Sequence, residues 1–193
     1  MKKLFFVNGT NCSGKSSLAK HFLNSEPEKI VIEFPEYKTA ATVCPSSNMI
    51  IIGNYSKNGT SGGCDTIRKK AYTNDMLRKL WDRPEDIFME GYIIGSRVWI
   101  DDIITIKKEC GERDLRFVTL NTELETCFAR IEKRSGKTRE QLKGNGANVI
   151  SGHKGTVRIS EWVSANRPEF NQIILDSEHI QSAELCHQLT NAL

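Results

Sequence analysis

Six short apolar runs of strand type recur along the chain: Leu4–Val7, Ile30–Phe34, Met49–Gly53, Ile87–Met89, Phe117–Leu120 and Ile173–Leu175. Between most of them the apolar residues return at helical spacing. Leu18, Ala19, Phe22 and Leu23 share one face, as do Ile67, Ala71, Leu77 and Leu80. The same holds for Leu124, Cys127, Phe128 and Ile131, and for Ile180, Ala183, Cys186 and Leu189. Strands alternating with helices predict an α/β fold of three layers, with about five parallel strands covered on both faces. Thr39–Val43 and Met49–Tyr55 are expected to pair as an added β-hairpin. The stretch 33–65 has no helical pattern and is rich in Gly, Ser, Asn and Thr. That is long for a plain connection, so it reads as functional. No repeat or linker divides the chain, and 1–193 reads as one domain.

The first strand runs into "NGTNCSGKSS", where Gly9 and Gly14 bracket four residues and Lys15-Ser16 follow. A G-x-x-x-x-G-K-S loop between a strand and a helix is the context in which a nucleotide phosphate is held. Glycines let successive N–H groups turn inward on an anion, and the helix N-terminus adds uncapped donors and a positive dipole end. The expected cradle is Gly9, Thr10, Asn11, Cys12, Ser13, Gly14, Lys15, Ser16 and Ser17. Lys15 would reach the β- and γ-phosphates of ATP, and the Ser16 hydroxyl would bind Mg²⁺.

Composition alters this picture little. Net charge is +3, which permits a polyanionic partner without demanding one. The six cysteines include no C-x-x-C pair and the four histidines make no ligand cluster with them, so neither zinc nor a disulfide framework is expected. That points to a reducing cytoplasm. The apolar run after Lys2-Lys3 stops too early for a signal peptide, and no segment is long enough for a membrane partner.

A phosphoryl transferase needs carboxylates to position metal and to orient the attacking hydroxyl. Glu90 ends the strand "DIFME", and parallel strand ends point into the ligand crevice. An aspartate is usual at this place, so Glu90-Gly91 leaves open whether Glu90 serves metal or acts as base. Asp65 follows Gly62-Gly63 and is a second candidate; its plainer reading is a cap for the next helix. Glu33 and Glu36, at the end of the second strand, are rivals for the base. Tyr55 and Tyr92 are the better candidates for stacking on a base, ahead of Tyr37, Trp81, Trp99 and Trp162. Residues 134–155 hold five of the fourteen glycines and several basic side chains. At their entrance, Arg130 and Arg134 lie one helical turn apart on one face, with Arg139 a weaker third.

The phosphate loop, the Glu90 strand end and the R-x-x-x-R pair together resemble the P-loop kinases of the nucleoside and nucleotide kinase superfamily. In that superfamily a mobile basic lid sits where 134–155 falls, excluding water and neutralising the transferring group. More narrowly, "GNY" at 53–55, "GGCD" at 62–65 and "IFMEG" at 87–91 are similar to bacteriophage 5-hydroxymethyluracil DNA kinases, which phosphorylate the base hydroxymethyl group within DNA. The resemblance implies Lys15, Ser16, Asp65 and Glu90 as functional positions, region 33–80 as the acceptor side, and DNA as a partner in the host cytoplasm. Such an acceptor base must be flipped, and cleft lysines, in "IRKK" at 67–70 or in the lid, would hold phosphates. Two other readings stand beside it: a kinase of a free nucleoside or nucleotide, and an NTP-binding ATPase or switch.

Overall fold

The computed structural model describes residues 1–55, 62–67, 69–91, 95–142, 144–178 and 182–191. The chain opens with β1 (Lys3–Asn8) and α1 (Lys15–Ser25), then forms β2 (Ile30–Phe34), β3 (Thr39–Cys44) and β4 (Met49–Ile52) in quick succession. Next come α2 (Lys70–Leu80), β5 (Asp86–Glu90), α3 (Arg97–Cys110), β6 (Asp114–Asn121) and α4 (Leu124–Ser135). The chain finishes with α5 (Gly144–Asn166), β7 (Phe170–Asp176) and α6 (Ser182–Asn191). Among the described residues these strands make one seven-stranded sheet of order β2-β3-β4-β5-β1-β6-β7.

Five of the strands, β4, β5, β1, β6 and β7, are parallel. The β3–β4 hairpin is antiparallel, pairing Ala41 with Ile52 and Cys44 with Met49, as the sequence pattern predicts. The same β4 also pairs in parallel with β5, so the hairpin is built onto the core sheet through a shared strand. Ile30–Phe34, an apolar run like the core strands, is antiparallel to β3 and forms the outer edge. Ile30 and Val31 are 56% and 53% exposed there, which no central parallel strand would tolerate. Both tight connections use the same device: Pro35 and Pro45 open a short turn, and Lys38 and Asn48 close it in the left-handed region.

Alternation along β1 sends Leu4 and Phe6 to one face and Phe5 and Val7 to the other. The first face is covered by α2, α3 and the second half of α5, the second by α1 and α6. Each fully buried Leu, Ile or Phe contributes about 1.5–3 kcal/mol. The predicted faces of α1 and α4 are the buried ones. In α2 the buried set is Thr73, Met76, Leu77 and Leu80; Ala71 is exposed and Ile67 precedes the helix. Toward the end of the chain, Leu185, Cys186 and Leu189 are buried and Ala183 is exposed, while Ile180 lies outside the described residues. A third, smaller cluster of Cys127, Phe128, Ile131, Leu142 and Val149 joins α4 to the start of α5. The glycine-rich stretch is therefore helical from Gly144 onward, although each interior glycine costs about 1 kcal/mol against alanine. No described helix is long and apolar enough to cross a membrane.

Candidate active site

The sheet delivers the ends of β1 and β5 side by side, with Val7 paired to Glu90. Beyond Val7 the chain folds into the loop that the G-x-x-x-x-G-K-S spacing marks as a candidate phosphate cradle. The Ser13 N–H donates to the Thr10 carbonyl at 3.2 Å, and Cys12 and Gly14 adopt positive φ of 64° and 104°. Gly14 is the N-cap of α1; no side chain caps this helix and its first turn holds no acid. Uncapped N–H donors at the positive end of a helix form an anion site. The Ser13 hydroxyl is buried and has no partner among the described residues.

The Lys15 ammonium, 7% exposed, donates to the carbonyls of Gly9 at 2.7 Å and Thr10 at 3.0 Å. Burial pushes its pKa down, and the charges of Glu90 and Asp65 oppose that shift. Glu90 is 1% exposed and accepts two hydroxyl hydrogen bonds on Oε1, from Ser16 at 2.9 Å and from Tyr55 at 3.2 Å. Burial raises the Glu90 pKa; Lys15 and the Ser16 bond pull it back, while Asp65 adds to the rise. The Tyr55 phenol is pushed well above its ordinary range, first by burial and then by the Glu90 charge, so it stays a donor.

Asp65 sits in a short turn, Gly63–Thr66, that presses on the end of β5. Two glycines permit this approach. At Gly63, φ is +63°, and a Cβ would lie 2.5 Å from the Glu90 carbonyl oxygen. At Gly91, a Cβ would lie 2.6 Å from Asp65 Oδ1. The turn is closed by the Thr66 hydroxyl donating to the Gly63 carbonyl at 2.7 Å. The next helix starts at Lys70 with Lys69 as its uncapped N-cap, so Asp65 does not cap it and that plainer reading is corrected.

The third cluster closes the loop's other side. Cys12 packs against it, and the Thr10 hydroxyl donates to the Val149 carbonyl of α5 at 3.4 Å. Arg130 donates to the Cys12 carbonyl at 3.2 Å and to the Ser177 carbonyl at 2.7 Å, tying the loop to the end of β7. Arg134 is exposed. Burial raises the Cys12 thiol pKa against Arg134, Lys15 and Arg130, the three cations that surround it.

A family model described as 5-hmdU DNA kinase matches residues 1–158. This chain belongs to the 5-hmdU DNA kinase family. The 5-hmdU DNA kinase 1 of Salmonella phage ViI is 34% identical over 142 residues, covering 69% of this chain and 60% of that protein. The 5-hmdU DNA kinase of Bacillus phage SP10 is 28% identical over 142 residues, covering 71% of this chain and 22% of that protein. The 5-hmdU DNA kinase of Pseudomonas phage PaMx11 is 26% identical over 169 residues, covering 85% of this chain and 86% of that protein. The match thus spans less than two thirds of the ViI and SP10 proteins and most of the PaMx11 protein. A solved structure of deoxyadenosine kinase from M. mycoides with bound dATP aligns over 98% of both chains at 14% identity, with a TM-score of 0.47.

Within this family member the structure gathers Lys15, Ser16, Asp65 and Glu90 at one edge of the sheet and hangs Arg130 on the loop. It keeps Glu33 and Glu36 apart from them. Three strand spacings, about 14 Å, separate β2 from β5. Glu33 is exposed, and Glu36 accepts from Lys79 at 2.9 Å, a bond that holds its carboxyl below the usual range. Arg139 is bound to Glu125 at 2.7 Å and lies 3.7 Å over the Phe128 ring, where it braces the third cluster. In "IRKK", Lys70 is paired with Asp102 at 2.8 Å and Arg68 lies outside the described residues. Tyr92 and all of "SKNGTS" at 56–61 lie outside them too. Trp81 and Trp99 are core residues, and Tyr37 stacks on Tyr72. The role missed by the sequence reading is that of Tyr55 as a donor to Glu90; the available signal was a tyrosine two residues beyond a strand-ending glycine.

Proposed function

We propose that this chain is an ATP-dependent kinase that transfers the γ-phosphoryl group to the hydroxymethyl oxygen of 5-hydroxymethyluracil in DNA. Family membership and the names of the phage relatives support this acceptor, and they support action in the cytoplasm of an infected host. One observation carries the reaction type: a buried carboxylate, Glu90, bonded to the first serine of a phosphate loop and flanked by Lys15 and Asp65.

The acceptor oxygen attacks the γ-phosphorus, the bond from that phosphorus to the β,γ-bridging oxygen breaks, and the hydroxyl proton passes to a carboxylate. Asp65 is our choice for that carboxylate. It is half-buried and lies against Gly91, whereas Glu90 already holds the hydroxyls of Ser16 and Tyr55. Lys15 leaves the Gly9 and Thr10 carbonyls to follow the γ-phosphate, where negative charge builds in the transition state. Loop N–H groups from Gly9 to Ser17 hold the other phosphates. Arg134 serves the same charge from the lid root, and Arg130 holds the loop in position for it.

The oxygens at this edge fit a magnesium ion. Magnesium takes hard oxygen ligands, one or two of them from protein, and the Ser16 hydroxyl and Glu90 carboxylate already meet there. A carboxylate whose pKa is raised by burial is one that a divalent cation draws into its ionised form. Ser16 and Glu90 would hold the ion, which neutralises phosphate oxygens when bound.

The test offers γ-labelled ATP with DNA containing 5-hydroxymethyluracil, the same DNA with thymine, and a panel of free nucleosides and monophosphates. Label is expected on the hydroxymethylated DNA. Label confined to free nucleosides or monophosphates would overturn the reading.

A further inference from the structure

The face of the sheet that carries α1 and α6 is covered over its parallel strands but not over β2. No described residue of β2 enters the buried cluster on that side. A groove of about 590 Å³ lies there between α1 and the exposed face of β2 and β3. Its volume falls in the range of pockets that hold a drug-sized molecule, roughly 300–1,000 Å³.

The chemistry of the groove is one-sided. Lys20 comes from α1, Lys29 from the approach to β2, and Lys38 from the turn before β3; Glu33 is the one carboxylate in the lining. None of the three lysines makes an ion pair among the described residues, whereas Lys70, Lys79 and Lys107 all do. The floor between them includes Val31, which is 53% exposed on an edge strand. The inner end is Asn54 and Tyr55, and Tyr55 donates to Glu90. The groove therefore runs from the outer edge of the sheet to Tyr55, whose hydroxyl bonds the Glu90 carboxylate.

We infer that this groove is the track for the DNA strand flanking the acceptor nucleotide, an inference that rests on the proposed DNA acceptor. Lys20, Lys29 and Lys38 hold successive backbone phosphates, the apolar floor lies under the bases, and Tyr55 stands where the flipped base turns in toward Asp65. A single strand fits better than a duplex, because bases can lie on the floor only when unpaired.

The test uses Lys20→Gln, Lys29→Gln and Lys38→Asn, singly and together; asparagine suits the positive φ of 54° at Lys38. Two measurements run in parallel: KM for single-stranded 5-hydroxymethyluracil DNA and for ATP, and binding of a fluorescent single-stranded oligonucleotide across a salt series. Each substitution should weaken DNA binding about three- to tenfold and reduce the salt slope by about 0.7. KM for DNA should rise in step while KM for ATP and kcat at saturating DNA stay unchanged. A triple variant with wild-type oligonucleotide affinity and salt slope would overturn the inference. If wild-type protein moves no label to DNA, the proposed function fails, and the oligonucleotide binding still decides the groove.

Discussion

Ser16 donates its hydroxyl hydrogen to Glu90 Oε1 at 2.9 Å, and this bond joins the first turn of α1 to the end of β5. The bond makes Glu90→Gln informative. Burial raises the Glu90 pKa above 4.5, so between 4.5 and the raised value the folded protein binds a proton that the unfolded chain has lost. Glu90 therefore lowers stability as pH rises through that window. Without ligand, Glu90→Gln should gain in melting temperature relative to wild type as pH rises from 4 through the raised value. Its phosphoryl transfer should fall by roughly two orders of magnitude or more. Thermal melts across this pH range check the first part and turnover the second; a melting difference between variant and wild type that does not change with pH contradicts a raised Glu90 pKa.

Asp65→Asn removes a charge and keeps the shape. Activity should drop roughly a hundredfold or more with little loss of stability. Gly91→Ala should act in the same direction, because its Cβ meets the movable end of Asp65, 2.6 Å from Oδ1, and displaces it. Glu33→Gln and Glu36→Gln should keep wild-type turnover. If one of those two abolishes it while Asp65→Asn does not, the base lies on the β2 side.

Lys15→Ala should reduce kcat by about two orders of magnitude or more, because the ammonium acts most where charge develops on the transferring group. The folded structure should survive, since the only described acceptors left without this donor are the carbonyls of Gly9 and Thr10. Circular dichroism and steady-state kinetics on the same preparation check both halves. Near-normal transfer would show that the loop is not the nucleotide site.

The parts of this fold legible in the sequence are those set by local chemistry. The strand–loop–helix from Lys3 to Ser25 announces itself by spacing, and the buried faces of α1 and α4 follow from their periodicity. The direction of Ile30–Phe34 could not be read, because an apolar run signals a strand and not its orientation; Pro35 and Lys38 turn it back as an antiparallel edge. Helix α3 was hidden by its isoleucines, which favour strands as much as they mark the helical face of Ile100, Ile103 and Ile106. Helix α5 was hidden by glycines whose cost is met by packing of Val149, Ile159 and Val163. Gly62-Gly63 hinted at a close approach, and Gly63 makes one against Glu90. That it meets Gly91, and that Tyr55 reaches Glu90, are tertiary facts with no signature in spacing.

The glycines of α5 also predict a moving part. Within the lid, 134–155, the described ties are the Thr10 bond to Val149, the Arg139 pair with Glu125 and one small cluster, so opening costs little. Hydrogen exchange there should slow when a non-hydrolysable ATP analogue is added, as the lid settles on the phosphates. Unchanged exchange across this segment would count against a lid.

The central claim is that the γ-phosphoryl group ends on a base hydroxymethyl oxygen, and the position of the label tests it most directly. After reaction with γ-labelled ATP, 5-hydroxymethyluracil DNA is digested to nucleosides without phosphatase treatment, and the labelled product is identified by mass. The account predicts a 2′-deoxyuridine bearing a phosphonooxymethyl group, a phosphate ester of the hydroxymethyl oxygen, at C5. Label on the 5′-terminal hydroxyl of the strand, or on free nucleosides alone, would contradict it.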